Sequence, residues 1–535
     1  MTLGAVMVPL GLAFGTLAGL PMAGLYASLF PLIVFALFCS SRQLVLGPDA
    51  TMATFVAVSV APLAGGDPVR LASLAGLLAI FIGVICVGAG LLRLGFMADF
   101  LAKPVIIGFM NGLAVVVVAG QLKNIFGFDA GGDTTLDKIV AAFRNLEQTN
   151  WPTFFLAAAC VVIILAMGRW TPHIPGPVVV LILSIVAAAV FGLTAYGVTL
   201  VGEIPSGLPS LQIPSFSISD VGTMIPLAFA ATLLVFSDTV AIGRGFAARN
   251  HYQIDANKEI IALGLSNAAS ALTQGMPVGG SGSRTAIVDS MRSYTQLAGV
   301  VAAITVAVVL LFLTPLISWL PNAALGGILV AAAYGLCDIA GFRALLKFRT
   351  WGFVIALTVF VGVVAIGLME GILIGVGFSL VLLVYAVTFP HDCVIGKADD
   401  GFFDMAFRPD ARAIPGFAIY RFPGPLFFAN SGRFRSRVEE LTQNTEDPVH
   451  TFVLDASMII GTDFTACETL IDVNEELGKR GIRFTLAQVR ANVRETFERG
   501  GVIESLGEVS IFHSIEEAID TTGSDRSNRR RKHDR

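Results

Sequence analysis

Long apolar runs separated by short polar segments make up the chain from residue 1 to residue 389. A helix needs about 20 predominantly apolar residues to cross the hydrocarbon core of a bilayer. The pattern therefore predicts fourteen membrane-spanning helices. In chain order, these spans lie near residues 2–19, 22–40, 48–64, 69–92, 103–122, 153–169, 177–197, 222–246, 257–274, 282–292, 295–320, 323–341, 350–368 and 371–389.

Spans one, three and ten are unusually short or are interrupted by glycine and proline. Spans three and ten stand seven apart, which is the pattern that two repeats of seven spans leave. Non-helical backbone is tolerated at membrane depth only where protein or a polar cavity covers it. Broken segments at matching places in two halves indicate a transporter's binding site.

Beyond Pro390 the apolar runs shorten and charged residues become frequent. Strands are predicted at 417–420, 426–428, 451–454 and 483–487, and helices at 432–441, 464–479, 489–499 and 514–519. This alternation is typical of a small α/β domain. The predicted domains are a transmembrane domain at 1–389, a cytoplasmic domain at 390–522 and a basic, disordered tail at 523–535.

Composition agrees with a polytopic membrane protein, since only 14% of the 535 residues are charged and 55% are hydrophobic. A soluble protein of this size could not bury so much apolar surface. The six cysteines and six histidines have no metal-ligand spacing, and no catalytic signature is present. We therefore expect no enzyme, no metal, no cofactor and no nucleic-acid partner.

Lysine and arginine are more frequent between spans on the side that the two termini share. Basic residues mark the cytoplasmic side, which predicts a multi-pass plasma (inner) membrane protein with both termini in the cytoplasm. The first span follows Met1 without a charged lead. This indicates a start upstream of Met1, a deliberately broken first helix, or both.

Residues 278–286 (VGGSGSRTA) are the richest chemical feature of the apolar region. Glycines let a small ligand approach the backbone, the hydroxyls donate hydrogen bonds, and a helix N-terminus favours an anion. The alternative is a glycine-rich hinge or helix-packing segment. The candidate substrate contacts in this stretch are Gly280, Ser281, Gly282, Ser283 and Arg284, although Arg284 could instead pair elsewhere.

Residues 45–51 (VLGPDAT) are the counterpart in the first half. Gly47 and Pro48 fit a helix start and are candidate substrate contacts. Asp49 either caps that helix favourably or ligates a coupling ion. We expect the two helix ends to face each other at mid-membrane and to hold an anion between them.

Asp238 lies inside span eight, the repeat partner of span one. An ionisable residue in a span is costly and is a functional candidate by default. Its expected role is Na⁺ ligation or a proton relay, and the alternative is a structural partner for Arg284 or for a backbone donor.

Several motifs resemble the sulfate permease family. They are residues 9–14 (PLGLAF), 17–21 (LAGLP), 24–28 (GLYAS), 40–44 (SSRQL) with 47–48 (GP), 255–259 (DANKE) with 262–264 (ALG), 280–285 (GSGSRT) and 320–321 (LP). Residues 426–430 (LFFAN) and 453–457 (VLDAS) resemble a STAS domain.

The resemblance implies fourteen spans as seven-plus-seven inverted repeats, organised as core and gate domains, and a homodimer in the lipid bilayer. It implies anion binding between spans three and ten, with coupling at Asp238. STAS domains elsewhere are switched by phosphorylation, which makes Thr462 and Thr465 regulatory candidates. A folding and docking module without a switch is the alternative.

Departures from the family pattern affect the site. The family often has glutamine where this chain has Leu10, and glutamate where it has Asp238. A related bicarbonate carrier pattern has threonine at the place of Ile242, which weakens the case for Na⁺. The family has an N-terminal cytoplasmic segment ahead of the first span, which again leads us to expect a start upstream of Met1.

The leading hypothesis is a secondary active transporter of small inorganic anions, with sulfate first, working by ion-coupled symport or exchange with H⁺ or Na⁺. Na⁺-coupled bicarbonate, chloride or C4-dicarboxylate transport are alternatives. A nucleobase symporter would need an acid in span ten, where this chain has Arg284. A membrane-anchored STAS sensor or scaffold is the alternative of another class.

Overall fold

A computed structural model describes residues 2–96, 102–128, 131–132, 134–171, 174–202, 206–291, 293, 295–348, 350–443 and 447–523. Spatial contacts divide the chain into two compact units, Met1–Ser379 and Leu380–Arg535. The predicted basic tail lies outside the described residues beyond position 523.

The first unit is helical, and a helical segment occupies each of the fourteen predicted positions. The helices are α1 (Thr2–Leu17), α2 (Pro21–Tyr26), α3 (Phe30–Phe38), α4 (Ala50–Phe55), α5 (Pro68–Leu91), α6 (Lys103–Phe126), α7 (Thr135–Arg144), α8 (Trp151–Trp170), α9 (Gly176–Phe191), α10 (Ile218–Arg249), α11 (Ala256–Leu272), α12 (Gly282–Ser290), α13 (Leu297–Val308), α14 (Thr314–Ile317), α15 (Asn322–Leu336), α16 (Ile339–Phe348), α17 (Thr350–Val361) and α18 (Leu368–Thr388).

The three predicted broken spans are short in the structure. Span one is α1 of 16 residues, and span ten is α12 of only nine. Span three is α4, followed by a π-helical turn at Val56–Val60 and a 3₁₀ turn at Ala61–Ala64. Seven other helical segments in the described chain have the length and apolar composition to cross a membrane.

Short extended segments replace helix at the start of spans three and ten. Strand β1 (Leu46–Gly47) pairs antiparallel with strand β2 (Gly279–Gly280). Proline and glycine prevent the preceding backbone from continuing as helix. The pair brings the N-termini of α4 and α12 together, as the sequence predicted.

Small residues let the helices of this unit pack closely. A Cβ atom on Gly264 of α11 would lie 2.7 Å from the carbonyl oxygen of Gly83 in α5, so the two backbones are in direct contact. Close approach of this kind is how helices associate without a hydrophobic driving force between them.

The second unit contains a six-stranded sheet in the order β4-β3-β5-β6-β7-β8. Its strands are β3 (Cys393–Ala398), β4 (Gly401–Asp404), β5 (Phe417–Arg421), β6 (Thr451–Asp455), β7 (Arg483–Ala487) and β8 (Ile511–Phe512), and its helices are α19 (Ser431–Gln443), α20 (Phe464–Lys479), α21 (Ala491–Arg499) and α22 (Val502–Leu506). Residues 515–523 are also helical, in agreement with the helix predicted at 514–519. Strands β5 to β8 run parallel. Separate apolar clusters lie on the two faces of the sheet, which confirms the predicted α/β class.

The predicted strand at 426–428 is wrong. Leu426 makes only an isolated bridge with Thr462, and the side chain of Asn430 accepts a hydrogen bond from the Phe427 N–H at 2.9 Å, which closes a turn. Asparagine favours such turns because its side chain bonds to nearby backbone. Strands β3, β4 and β8 were not predicted.

Asp392, just before β3, connects the start of β3 to strand β5 and to helix α19. Its carboxylate accepts hydrogen bonds from the Tyr420 hydroxyl at 3.1 Å and from Arg437 Nε at 3.0 Å. Burial and the negative charge of Asp392 raise the pKa of Tyr420, so this hydroxyl remains a donor at any physiological pH.

We predict that Phe452→Ala destabilises the C-terminal domain by about 3–5 kcal/mol, because it empties a fully buried site in β6. Phe428→Ala is the matched control, since that ring is 69% exposed and its loss should cost less than about 0.5 kcal/mol. Urea titration with pulse proteolysis of the full-length protein measures both. Equal losses in the two variants would contradict the core assignment.

Candidate functional site

The extended backbone at the start of spans three and ten is hydrogen-bonded within the protein. Besides the β1–β2 pairing, the Ser281 N–H donates to Val45 O at 3.0 Å. The Gly280 N–H donates to Thr239 Oγ1 and the Val278 N–H to Asn267 Oδ1, both at 3.0 Å. Side chains of α10 and α11 thus satisfy groups that a helix would otherwise satisfy.

The N-terminus of α12 has donors that the protein leaves unused. In the described chain, the backbone N–H groups of Gly282, Ser283 and Arg284 have no hydrogen-bond partner. Ser281 is the N-cap residue, yet its side chain does not cap the helix. The Ser281 and Ser283 hydroxyls lie 3.3 Å apart. An N-terminus of this kind attracts anions through its N–H groups and the helix dipole.

The N-terminus of α4 is different, because the protein supplies its own anion there. Asp49 is the N-cap residue, and its Oδ1 accepts a hydrogen bond from the Met52 N–H at 2.7 Å. A Cβ atom at position 279 would collide with Asp49 Oδ2, so glycine is required there. The two helix ends face each other but are not equivalent.

Arg284 joins the two broken spans from behind the site. Its side chain is only 1% exposed, and its Nη2 donates to the Pro48 carbonyl oxygen at 2.8 Å. A Cβ atom on Gly47, which has φ of +152°, would lie 2.7 Å from Arg284 Nη1. Gly47 therefore makes room for the guanidinium, and Arg284 fixes the start of α4 against α12.

A cavity of about 580 Å³ opens in front of the two helix ends. Six predicted residues line it: Asp49, Asp238, Gly280, Ser281, Gly282 and Ser283. Gly47, Pro48 and Arg284, also predicted as substrate contacts, are not among the lining residues. The position of these three residues suits a role in holding the N-termini of α4 and α12 together.

Apolar residues form the rest of the cavity wall. They are Leu10 and Phe14 of α1, Ala50 of α4, Met110 of α6, Ile242 of α10, and Ala331, Ala332, Gly335 and Leu336 of α15. Apart from Leu10 and Ile242, the sequence carried no signal for them, because apolar residues in a span look alike whether they face lipid, protein or a cavity. Thr51 of α4 adds a hydroxyl to the lining.

Asp238 faces the cavity from α10 without a partner. In the described chain, its carboxylate makes no hydrogen bond and no ion pair. The hypothesis that it pairs structurally with Arg284 is therefore wrong, since Arg284 bonds to Pro48 instead. Asp238 also lines a smaller, mostly apolar cavity of about 50 Å³ beside α6 and α18.

The predicted regulatory residues lie in the second unit on either side of Asp463, whose side chain caps α20. Thr465 is exposed and Thr462 is half-buried. Their regulatory role stays a prediction.

Comparison with known proteins identifies two family matches. Residues 1–359 match the model of the sulfate permease family, and residues 408–518 match the STAS domain. A probable sulfate transporter of Mycobacterium tuberculosis is 37% identical over 97% of this chain and 93% of its own length. Sulfate transporter 1.1 of Arabidopsis thaliana is 30% identical over 97% of this chain and 84% of its own length.

Solved structures share the fold. The murine Solute Carrier 26 family member A9 anion transporter, in an inward-facing state, superposes with a TM-score of 0.89 at 24% identity, over 98% of this chain and 90% of that one. The transmembrane domain of a cyanobacterial bicarbonate transporter superposes with a TM-score of 0.61 at 26% identity, over 71% of this chain and 94% of that one.

These matches confirm the fold of fourteen spans in two inverted repeats with a C-terminal STAS domain. The chain belongs to the sulfate permease family of multi-pass membrane proteins, which are anion transporters and not enzymes.

Proposed function

We propose that the protein is a secondary active transporter that carries sulfate together with protons. The observation that carries this proposal is the N-terminus of α12, where unpartnered N–H groups and two serine hydroxyls adjoin a cavity that Asp238 also lines. Sulfate is preferred to bicarbonate, chloride or a C4-dicarboxylate because the similar proteins of Mycobacterium tuberculosis and Arabidopsis thaliana are named as sulfate transporters.

Anion binding at this site relies on dipoles more than on a full charge. The α12 N-terminus contributes about half a positive charge, and Arg284 lies behind it, where its Nη2 donates to the Pro48 carbonyl oxygen. A site without a direct cation binds an oxyanion with moderate affinity. Moderate affinity suits transport, since the anion must also leave.

The charges of the site favour a proton as the coupling ion. Sulfate would bring two negative charges into a cavity that already has the carboxylates of Asp49 and Asp238. Protonation of Asp238 would remove one of these repulsions. A hard cation such as Na⁺ prefers several oxygen ligands, whereas the side chain one turn along α10 is the apolar Ile242.

The two walls of the cavity suggest how the anion moves. Every polar side chain in the lining belongs to spans three, eight or ten, while the facing wall on α6 and α15 is apolar. An anion bound to the polar wall can slide past the apolar wall without losing hydrogen bonds. This arrangement supports movement of one wall, with its anion, against the other.

The proposal includes a homodimer in the plasma (inner) membrane with both termini cytoplasmic. An even number of spans and the distribution of basic residues support this orientation. The dimer rests on the family resemblance. Thr462 and Thr465 remain candidate regulatory positions.

We predict that Gly282→Pro raises the KM for sulfate about tenfold or more. Proline removes one unpartnered N–H at the first position of α12, and a hydrogen bond to a charged group is worth about 1.5–3 kcal/mol. Proline fits this position because Ser281 before it is extended, with φ of −124° and ψ of 113°. Gly282→Ala, which keeps the N–H, is the control in proteoliposome uptake of labelled sulfate. Equal KM values for the two variants would exclude the N–H as a contact.

We predict that Asp238→Asn abolishes accumulation of sulfate driven by a proton gradient but retains sulfate–sulfate exchange, because asparagine mimics the protonated acid. Asp67→Asn is the matched control, since Asp67 caps α5 away from the cavity and asparagine caps equally well. Gradient-driven accumulation that persists in Asp238→Asn would contradict the assignment.

The same assay on the wild-type protein separates the alternatives. Accumulation driven by Na⁺ instead of a proton gradient would favour the bicarbonate-type mechanism. Uptake that depends only on a counter-anion would indicate exchange. No uptake of any anion would leave the sensor or scaffold alternative.

We predict that a membrane-impermeant maleimide labels Lys138→Cys in intact cells and labels Arg343→Cys only after permeabilisation. Both variants are made in a background without the six native cysteines. The reverse pattern would place the termini outside.

Light scattering of the purified protein tests the dimer, and a mass near the 56.4 kDa of one chain would contradict it.

A further inference from the structure

A buried carboxylate near the start of α11 has no part in the transport chemistry described above. Glu259 has no exposed surface, and it is not among the residues that line the cavity. Within the described chain, no lysine or arginine lies within ion-pair distance of it. A buried charge without a counter-charge is costly unless hydrogen bonds compensate it, so its contacts indicate its role.

Four hydrogen bonds converge on Glu259, all from the two serines that follow α3. Its Oε1 accepts from the Ser40 N–H, the Ser40 hydroxyl and the Ser41 N–H, each at 2.7 Å. Its Oε2 accepts from the Ser41 hydroxyl at 3.1 Å. Charge-assisted hydrogen bonds of this length are among the stronger ones in proteins.

The segment held by Glu259 leads directly into β1 and the N-terminus of α4. Gln296 Nε2 donates to Ser41 O at 2.9 Å and to Leu44 O at 3.0 Å. The Val45 N–H donates to Thr285 Oγ1 at 3.0 Å. Side chains from α11, α12 and the segment before α13 therefore fix residues 40–45 one after another.

We propose that Glu259 is a positioning residue for the anion site. It ties the segment before β1 to α11 and thereby sets the N-terminus of α4 against that of α12. The shape of the side chain, with two polar atoms at the right reach, performs this task, and its negative charge is not required. The inference rests on the proposed function, because the site that it positions is the sulfate site.

Two conservative variants separate geometry from charge. Glu259→Gln keeps the length, its carbonyl oxygen can accept the backbone N–H groups, and its amide can donate to the Ser41 hydroxyl, which accepts as well as donates. Glu259→Asp keeps the charge but withdraws the oxygens by one methylene group. Positioning therefore predicts that glutamine is tolerated and aspartate is not.

The test is the Kd of labelled sulfate for purified, monodisperse full-length protein, together with KM and kcat in proteoliposomes. We expect Glu259→Asp and Glu259→Ala to raise Kd and KM about tenfold with kcat nearly unchanged, because hydrogen bonds weaken steeply when they are misaligned. We expect Glu259→Gln to remain within about threefold of wild type. Ser266→Ala is the matched control, since Ser266 is buried in the same helix and bonds only to Ala262 O.

Each possible outcome either supports or contradicts the positioning role of Glu259. A lowered melting temperature with unchanged Kd in Glu259→Asp would show a purely structural role and overturn the proposal. Loss of affinity in Glu259→Gln with retention in Glu259→Asp would show that the charge acts, which also overturns it. If Glu259→Ala does not fold, the other two variants decide. Wild-type protein that binds no sulfate would refute the proposed function instead.

Discussion

The extended backbone at the start of spans three and ten must find its hydrogen-bond partners inside the protein, and the rest of the site depends on this requirement. Each span begins with a two-residue strand, β1 or β2, in place of helix, and the two strands pair with each other. Thr239, Asn267 and Thr285 supply the remaining partners. Because Thr239 and Asn267 come from α10 and α11 and Thr285 comes from the opposite broken span, the broken segments can exist only inside an assembled bundle. The proposed anion site is thus a product of the fold and cannot form locally.

The two helix ends differ although they derive from matching places in the repeats. A carboxylate caps α4, whereas α12 has no cap and leaves its N–H groups available. Arg284 bonds to the backbone of the opposite span and so contributes its charge from a distance. An anion bound here faces dipoles and hydroxyls, with acids nearby. That balance fits a site that must release its ligand and whose occupancy responds to a coupling ion.

Sequence reasoning worked where a local pattern has one physical meaning. Apolar runs placed the spans, and glycine–proline interruptions identified spans three and ten, which begin with extended backbone, while span one is a short but continuous helix. It failed where distant residues decide. The turn at Leu426 is predicted as a strand because apolar residues suit either structure. The apolar cavity wall on α6 and α15 has the same composition as lipid-facing surface, so the sequence does not distinguish the two. Glu259 was visible only as part of a family motif, without a role.

The sequence by itself determined the class of protein, the span pattern, the α/β domain and the two segments that form the candidate site, because hydrophobicity and backbone preference act over a few residues. Only the tertiary structure decided that Arg284 stands behind the site, that Asp49 caps its own helix and that Asp238 has no partner. These are pairings between residues far apart in the chain. Which residues pair depends on which helices pack together, and a single sequence does not show that packing.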